Sequence, residues 1–313
     1  MRIHLDTDLG GDTDDLCALA MLLGWPGAEL VGVTSTIDPE GRRAGYVTYC
    51  LDLAGRGDVP VAAGAAVSMT TGERADPIVD DERYWPVDVT ARSDPAGAAL
   101  DLLAADIAQG ATVVAIGPYT NLALLELMRP GSLARAPVVV MGGWVDPPAQ
   151  GLPPWGPDMD FNVQWDTLAA QVVVRAAADL TLVTLPATLA AHLRGRDLPI
   201  LAGAGPLAAL IARQGEAHAA DHGMTALGAA HAGLPDDLLN FQYDPVACAV
   251  ALGWPGATVS RRSLSLKTVD GRLVLRPDER GSSIKVVRSI DGPRFARDWI
   301  HAVIRHRGEQ PVR

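Results

Sequence analysis

The stretch IHLDTDLGGDTDDLCALAMLLGW, Ile3 to Trp25, constrains the fold more tightly than any other part of the chain. Its first three residues read as a short buried strand that ends in the polar triplet DTD. After two glycines, DDLCALAMLLGW sets Leu16, Leu19, Ala20 and Leu23 on one helical face. Asp14 and Asp15 fall in the first turn of that helix, where its dipole favours negative charge. A buried strand turning directly into a buried helix is the first half of a βαβ unit. Between the two lie Asp6, Asp8, Asp12, Asp14 and Asp15. Like charges repel, and a buried unpaired carboxylate is costly. Something positive, or rich in hydroxyls, is expected to meet them.

The rest of the chain repeats the alternation. AELVGVTST and VPVAAG read as strands around the helix RRAGYVTYCLDLAGR, and PAGAALDLLAADIAQG as the next helix. ATVVAIGPYTNLALLELM gives a strand, a sharp Gly-Pro turn and a helix, and APVVVMGG a further strand. The stretch GLPPWGPDMDFNVQWD is irregular, after which TLAAQVVVRAA resumes a helix and LTLVTLP a strand. DPVACAVALGWPG is helical, and IKVVRSIDGPRFARDWIHAVIRH reads as a strand and a terminal helix ending at His306. TVDGRLVLRP is expected to be a surface hairpin appended to the rest. With no repeat and no linker composition, residues 1–313 are expected to form a single α/β domain. Its open, mostly parallel sheet would be flanked by helices, with functional groups at the carboxyl ends of strands.

Several function classes are excluded early. The net charge is −11 and no Lys/Arg run suggests a nucleic acid polymer as partner. Cys17, Cys50 and Cys248 stand in apolar surroundings without CxxC spacing, which reads as buried reduced thiols in a cytoplasmic protein. The opening residues reach carboxylates too soon for a signal peptide, and no apolar run is long enough to span a membrane. HExxH is missing and the seven histidines lack ligand spacing, which argues against zinc. No GxxxxGK[ST] P-loop occurs, and no GxGxxG follows a strand. A DxD after the first strand also opens phosphatases of the haloacid dehalogenase type, but their later Ser/Thr, Lys and DD motifs do not follow in order.

Three acidic strand ends remain: DTD at 6–8, DMDFN at 158–162 and YDP at 243–245. Oxygen-rich clusters of this kind suit calcium or magnesium. Each member also has a plainer role open to it: Asp12, Asp14 or Asp244 as a helix cap, Asp6 as a brace and Asn162 as a loop hydrogen-bonder. One helix needs one N-cap, however, and the first helix offers several.

DTDLGGDTDDLCAL, GPYTNLALLE at 117–126, MGG at 141–143, DFN at 160–162 with Asp166, and YDP at 243–245 occur in the order found in one family. Together they resemble the inosine-uridine preferring nucleoside hydrolases, whose opening string is DTDxGxDDxxAL. VVRSIDGPRFARDWI is similar to that family's closing strand and helix.

The resemblance implies one α/β domain that binds Ca²⁺ and hydrolyses the N-glycosidic bond of a ribonucleoside or related N-riboside. By it, Asp8 binds calcium and takes a proton from its water, and Asp15, Asp244 and the main-chain carbonyl of Thr120 complete the ligands. Asp14 and Asn162 hold the ribose hydroxyls, Met141 lies beneath the ribose, and Asp160 stands for a Glu near its 5′ end. A homodimer or homotetramer is likewise implied. The chain departs from the family in four places. Two extra residues leave both Asp12 and Asp14 open for the first sugar-binding position. Asp38 stands where an Asn follows the second strand, Pro154 replaces another Asn, and Tyr243 replaces a histidine that helps the base depart. Trp155 and Trp165 are candidates for stacking on the base. These departures leave room for a 5′-modified nucleoside or a nucleotide as substrate, or for a non-catalytic nucleoside-binding descendant.

Overall fold

A computed structural model describes residues 1–78 and 81–305. The chain runs β1 (Arg2–Thr7), α1 (Asp14–Gly24), β2 (Glu29–Ser35), α2 (Arg42–Leu53), β3 (Val61–Ala62), α3 (Ala98–Ala108), β4 (Thr112–Ala115), α4 (Thr120–Met128) and β5 (Pro137–Met141). It continues through α5 (Phe161–Trp165), α6 (Thr167–Ala176), β6 (Asp179–Val183), α7 (Leu185–Thr188), β7 (His192–Arg194), α8 (Leu198–Gly203), α9 (Pro206–Asp221) and α10 (Met224–Ala230). β8 (Leu238–Phe241), α11 (Tyr243–Ala251), β9 (Ala257–Val269), β10 (Arg272–Pro277), β11 (Ser282–Ile290) and α12 (Gly292–Arg305) complete it. His306, the expected end of the last helix, lies outside the described residues.

Nine strands form the central sheet in the order β10-β9-β11-β6-β5-β4-β1-β2-β3. From β3 to β11 every pairing is parallel. The central strands are covered on both faces, so they read as unbroken apolar runs. Val113, Val114, Val138 and Val140 are fully buried. α12 instead buries one stripe, Phe295, Trp299, Ala302 and Val303, at helical spacing. Trp299 Nε1 in that stripe donates to the carbonyl of Cys17 in α1 at 3.2 Å. Cys17, Cys50 and Cys248 are free and buried, as expected.

The TVDGRLVLRP hairpin is not an appendage. β9 pairs antiparallel with both β10 and β11, so the hairpin extends the central sheet, and Leu273, Val274 and Leu275 are buried. From β1 the chain builds outward through β2 to β3, then returns to lay β4 on the other side of β1. This reversal opens a crevice at the carboxyl ends of β1 and β4, where sheets of this type bind ligands.

Candidate active site

A cleft of about 370 Å³ opens there. Asp8 and the following turn come from β1, Ile116 from the end of β4 and Met141 from the end of β5. Asp14 and Asp15 begin α1, and Tyr243 and Asp244 begin α11. Asp160, Phe161 and Asn162 enter from the irregular segment, which folds into the short helix α5 with Asp160 as its N-cap. Two glycines permit the close approaches. Gly10 has φ +121°, and a Cβ there would lie 2.6 Å from the Tyr46 ring; one on Gly117 would lie 2.7 Å from Asp8 Oδ1.

On the floor, carboxylate oxygens of Asp14, Asp15 and Asp244 all lie within 4.8 Å of one another, and all three residues are buried. Burial, and repulsion from neighbouring aspartates that include Asp8, hold all three pKa values well above the usual carboxylate range. The Thr7 hydroxyl donates to Asp15, and the Asp244 N–H to Asp14 Oδ2 at 3.4 Å. Three buried carboxylates this close form an all-oxygen donor set able to hold a hard divalent cation. Burial also pushes Asp8 up to about 6, opposed by the Arg43 guanidinium beside it. Arg43 lines the cleft and donates to the Asp8 carbonyl and, from Nε, to the Ile37 carbonyl at 3.0 Å. Asp6 faces away from the cleft. Its Oδ2 accepts from Thr34 at 2.5 Å and Asn121 at 2.7 Å, and burial raises it to about 7.

The structure also places the sugar and base candidates. Asn162 Nδ2 donates to the carbonyls of Ile116 at 2.7 Å and Met141 at 3.2 Å. Asp160 lines the cleft, but its carboxylate accepts from the N–H of Gly143 at 2.7 Å and of Val163 at 3.4 Å. Burial raises it to about 6. Tyr243 packs at a tilt on Phe241, ring centroids 5.4 Å apart, and burial with Asp12, Asp14 and Asp244 nearby holds its phenol well above 10. Trp155 joins the cleft wall; Trp165 does not, its carbonyl accepting from Ser68 at 3.0 Å.

Two candidates, Thr120 and Asp38, are not among the residues that line the cleft. Thr120 is the first residue of α4, outside the cleft, and its hydroxyl donates to Asp166 at 2.8 Å. Ile116, just after β4, lines the cleft, and its carbonyl accepts from Asn162 Nδ2 at 2.7 Å. Asp38 is also outside the cleft. It accepts from Ser35 at 2.6 Å and from the N–H groups of Arg43 and Ala44 at 2.8 and 3.0 Å, so it anchors the start of α2 and, through it, Arg43. Asp12 lines the cleft next to Asn240 and His218, and its charge also acts on Asp14 in the floor. Ile116, Met159, Phe161 and Leu185 were not singled out from the sequence, where apolar residues at strand and helix ends look the same as core.

Fold and cleft together define an α/β enzyme that takes a small polar molecule onto a carboxylate floor at the reversal point of a mostly parallel sheet. The family described as inosine-uridine preferring nucleoside hydrolase matches residues 3–297, and the chain belongs to it. It is 31% identical over 227 residues to the pyrimidine-specific ribonucleoside hydrolase RihA of Salmonella agona (strain SL483), covering 68% of this chain and 69% of that one. Among solved structures, a plant nucleoside hydrolase, the PpNRh1 enzyme, superposes with a TM-score of 0.80 at 19% identity over 97% of this chain and 98% of the other. A purine-preferring ribonucleoside hydrolase from Gardnerella vaginalis gives 0.79 at 20% identity over 98% and 99%. The chain is thus a hydrolase of the N-glycosidic bond of a ribonucleoside-type substrate. Among the described residues, no helix is long and apolar enough to cross a membrane.

Proposed function

We propose that the chain is a calcium-dependent N-ribohydrolase in which Asp8, Asp15 and Asp244 hold the metal together with the main-chain carbonyl of Thr120. The observation that carries this is the buried floor of Asp14, Asp15 and Asp244, which calls for a cation and lies where the sheet opens. A bound calcium makes its water easier to deprotonate. Asp8 accepts that proton, and Arg43 beside it favours the carboxylate form needed to do so. Asp14 and Asn162 hold the ribose hydroxyls, Asn162 being oriented by the two carbonyls that its amide engages. Met141 lies under the sugar. The negative floor favours the oxocarbenium-like charge that develops as the base departs. Tyr243 and Asp12 face the departing base, Tyr243 as a hydrogen-bond donor.

Incubation with a panel of nucleosides, 5′-nucleotides and nitrophenyl riboside tests this, with free base and free ribose both measured. Equal amounts of base and ribose are expected from nucleosides. A calcium-loaded protein that releases neither from any N-riboside would instead be a binding descendant of the family. We also take from the family resemblance a homodimer or homotetramer and a cytoplasmic location; light scattering and cell fractionation read these directly.

A further inference from the structure

The lengthened opening turn puts Asp12 somewhere distinctive. Its Oδ1 accepts from Asn240 Nδ2 and from the N–H of Thr13 at 2.5 Å, and His218 Nδ1 stands 3.7 Å away without bonding it. Among the described residues, no hydrogen-bond donor meets Oδ2. The Asp12 side chain is 37% exposed and lines the cleft together with Tyr243. One oxygen is therefore pinned to the protein while the other is left to the cleft.

His218 supplies the second observation. It comes from α9 and is 7% exposed, and its Nδ1 has no hydrogen-bond partner. Its ring rests on His222, centroids 4.3 Å apart. A buried ring nitrogen without a partner is disfavoured. Asp12 Oδ1 lies 3.7 Å from it, just beyond hydrogen-bond distance.

We propose that Asp12, braced by Asn240 and His218, determines base specificity by accepting a hydrogen bond at Oδ2 from an N–H of the leaving base. An ionised carboxylate only accepts, so it selects exocyclic amino groups and protonated ring nitrogens over lone pairs. This assignment rests on the orientation above, in which Tyr243 faces the base. Asp12 belongs to that end because Asn240, which holds it, is followed in β8 by Phe241, the ring on which Tyr243 packs. His218 acts through Asp12 and is a positioning residue. The favoured substrate class is a ribonucleoside whose base carries an exocyclic amine.

The experiment compares kcat/KM for adenosine against purine riboside and for guanosine against inosine. Each pair differs by one amino group. Nitrophenyl riboside reports bond cleavage without any N–H donor on the leaving group. A hydrogen bond to a charged acceptor predicts that the wild-type preference for the amino-bearing partner, in at least one pair, exceeds that of Asp12→Ala by about ten- to a hundredfold. Asp12→Asn, which keeps the shape of the turn, should shift the same preference in the same direction. His218→Gln should lower it part of the way, a change of ratio that a purely structural role would not produce. Equal losses on all substrates would place Asp12 on the ribose and overturn the inference while leaving the hydrolase reading intact. A wild-type preference that neither Asp12 variant changes would overturn it as well. A wild type that cleaves neither nitrophenyl riboside nor any nucleoside would overturn both.

Discussion

Asp14 Oδ2 accepts the main-chain N–H of Asp244 at 3.4 Å, joining the first turn of α1 to the first turn of α11 across 230 positions of sequence. Two helix N-termini therefore meet at the floor of the cleft, and both dipoles favour the negative charge gathered there. Such dipoles contribute about 0.3–1 kcal/mol each near the surface, too little to neutralise three crowded carboxylates. A cation held by the cluster would supply the rest.

Protein purified without chelator should therefore contain about one calcium per chain, the stoichiometry of one hard-ion site. Removing it should lower the melting temperature, because a ligand present at about a hundred times its Kd stabilises by about 2.7 kcal/mol. Elemental analysis paired with thermal melts checks this. Active protein with zinc alone, or with no metal, would sink it.

The pH dependence of that stabilisation has a definite sign. In the metal-free protein the Asp8 pKa is raised from 3.8 to about 6. The folded state then holds a proton that the unfolded chain has already lost, so the metal-free fold loses stability as pH rises between those values. Metal binding needs the ionised carboxylates, so its stabilisation grows over the same range and higher still for Asp15 and Asp244. The gain in melting temperature on adding calcium should be small at pH 5 and large at pH 8. An equal gain at both would contradict the assignment of these residues.

Asp8→Asn keeps the shape of the side chain but cannot take a proton from water. Hydrolysis should fall at least about a hundredfold, the worth of positioned proton transfer, while the fold remains intact. Steady-state rates with metal occupancy measured on the same sample decide it. A variant within a few-fold of wild type would remove Asp8 from the mechanism.

The acidic part of the site was legible because carboxylates are conspicuous between an apolar strand and an apolar helix. Asp8, Asp14, Asp15, Asp160, Asn162 and Asp244 all line the cleft. Asp38 was not legible in the same way, since its neighbours' N–H groups, rather than a ligand, occupy it. The hairpin read as an appendage because much of β9 is exposed, although β10 buries Leu273, Val274 and Leu275. No periodicity places α9 over the opening turn, so the meeting of His218 with Asp12 could come only from tertiary packing.

Thr120 offers a test of that distinction between local motif and placement. Its hydroxyl bonds Asp166, which also caps α6 and accepts from Met69 N–H and Thr70. Thr120→Val should cost about 1.5–3 kcal/mol, the worth of a hydrogen bond to a charged acceptor, and leave calcium content unchanged. Denaturant unfolding and metal analysis on the same variant provide the check. The substitution keeps the main-chain carbonyl that the family resemblance implies as a ligand, so unchanged stability would remove the Thr120 hydroxyl from the support of Asp166.

Tyr243 bears on which bases leave readily. A phenol has a reference pKa near 10, and burial with Asp12, Asp14 and Asp244 nearby raises this one further. Tyr243 therefore stays protonated at neutral pH and can donate a hydrogen bond, but it is a much weaker acid than a histidinium. Leaving groups that depart without full protonation should be favoured, with nitrophenyl riboside turned over faster than inosine. Tyr243→Phe removes the hydroxyl and keeps the ring against Phe241. It should lower kcat/KM for nucleosides that need help at the base by about tenfold, as for loss of one hydrogen bond of about 1.4 kcal/mol, and affect nitrophenyl riboside less. Comparing inosine, adenosine, uridine, cytidine and nitrophenyl riboside for both proteins separates the cases. If inosine were turned over as fast as the activated riboside and Tyr243→Phe changed nothing, the hydroxyl would have no part in leaving-group departure.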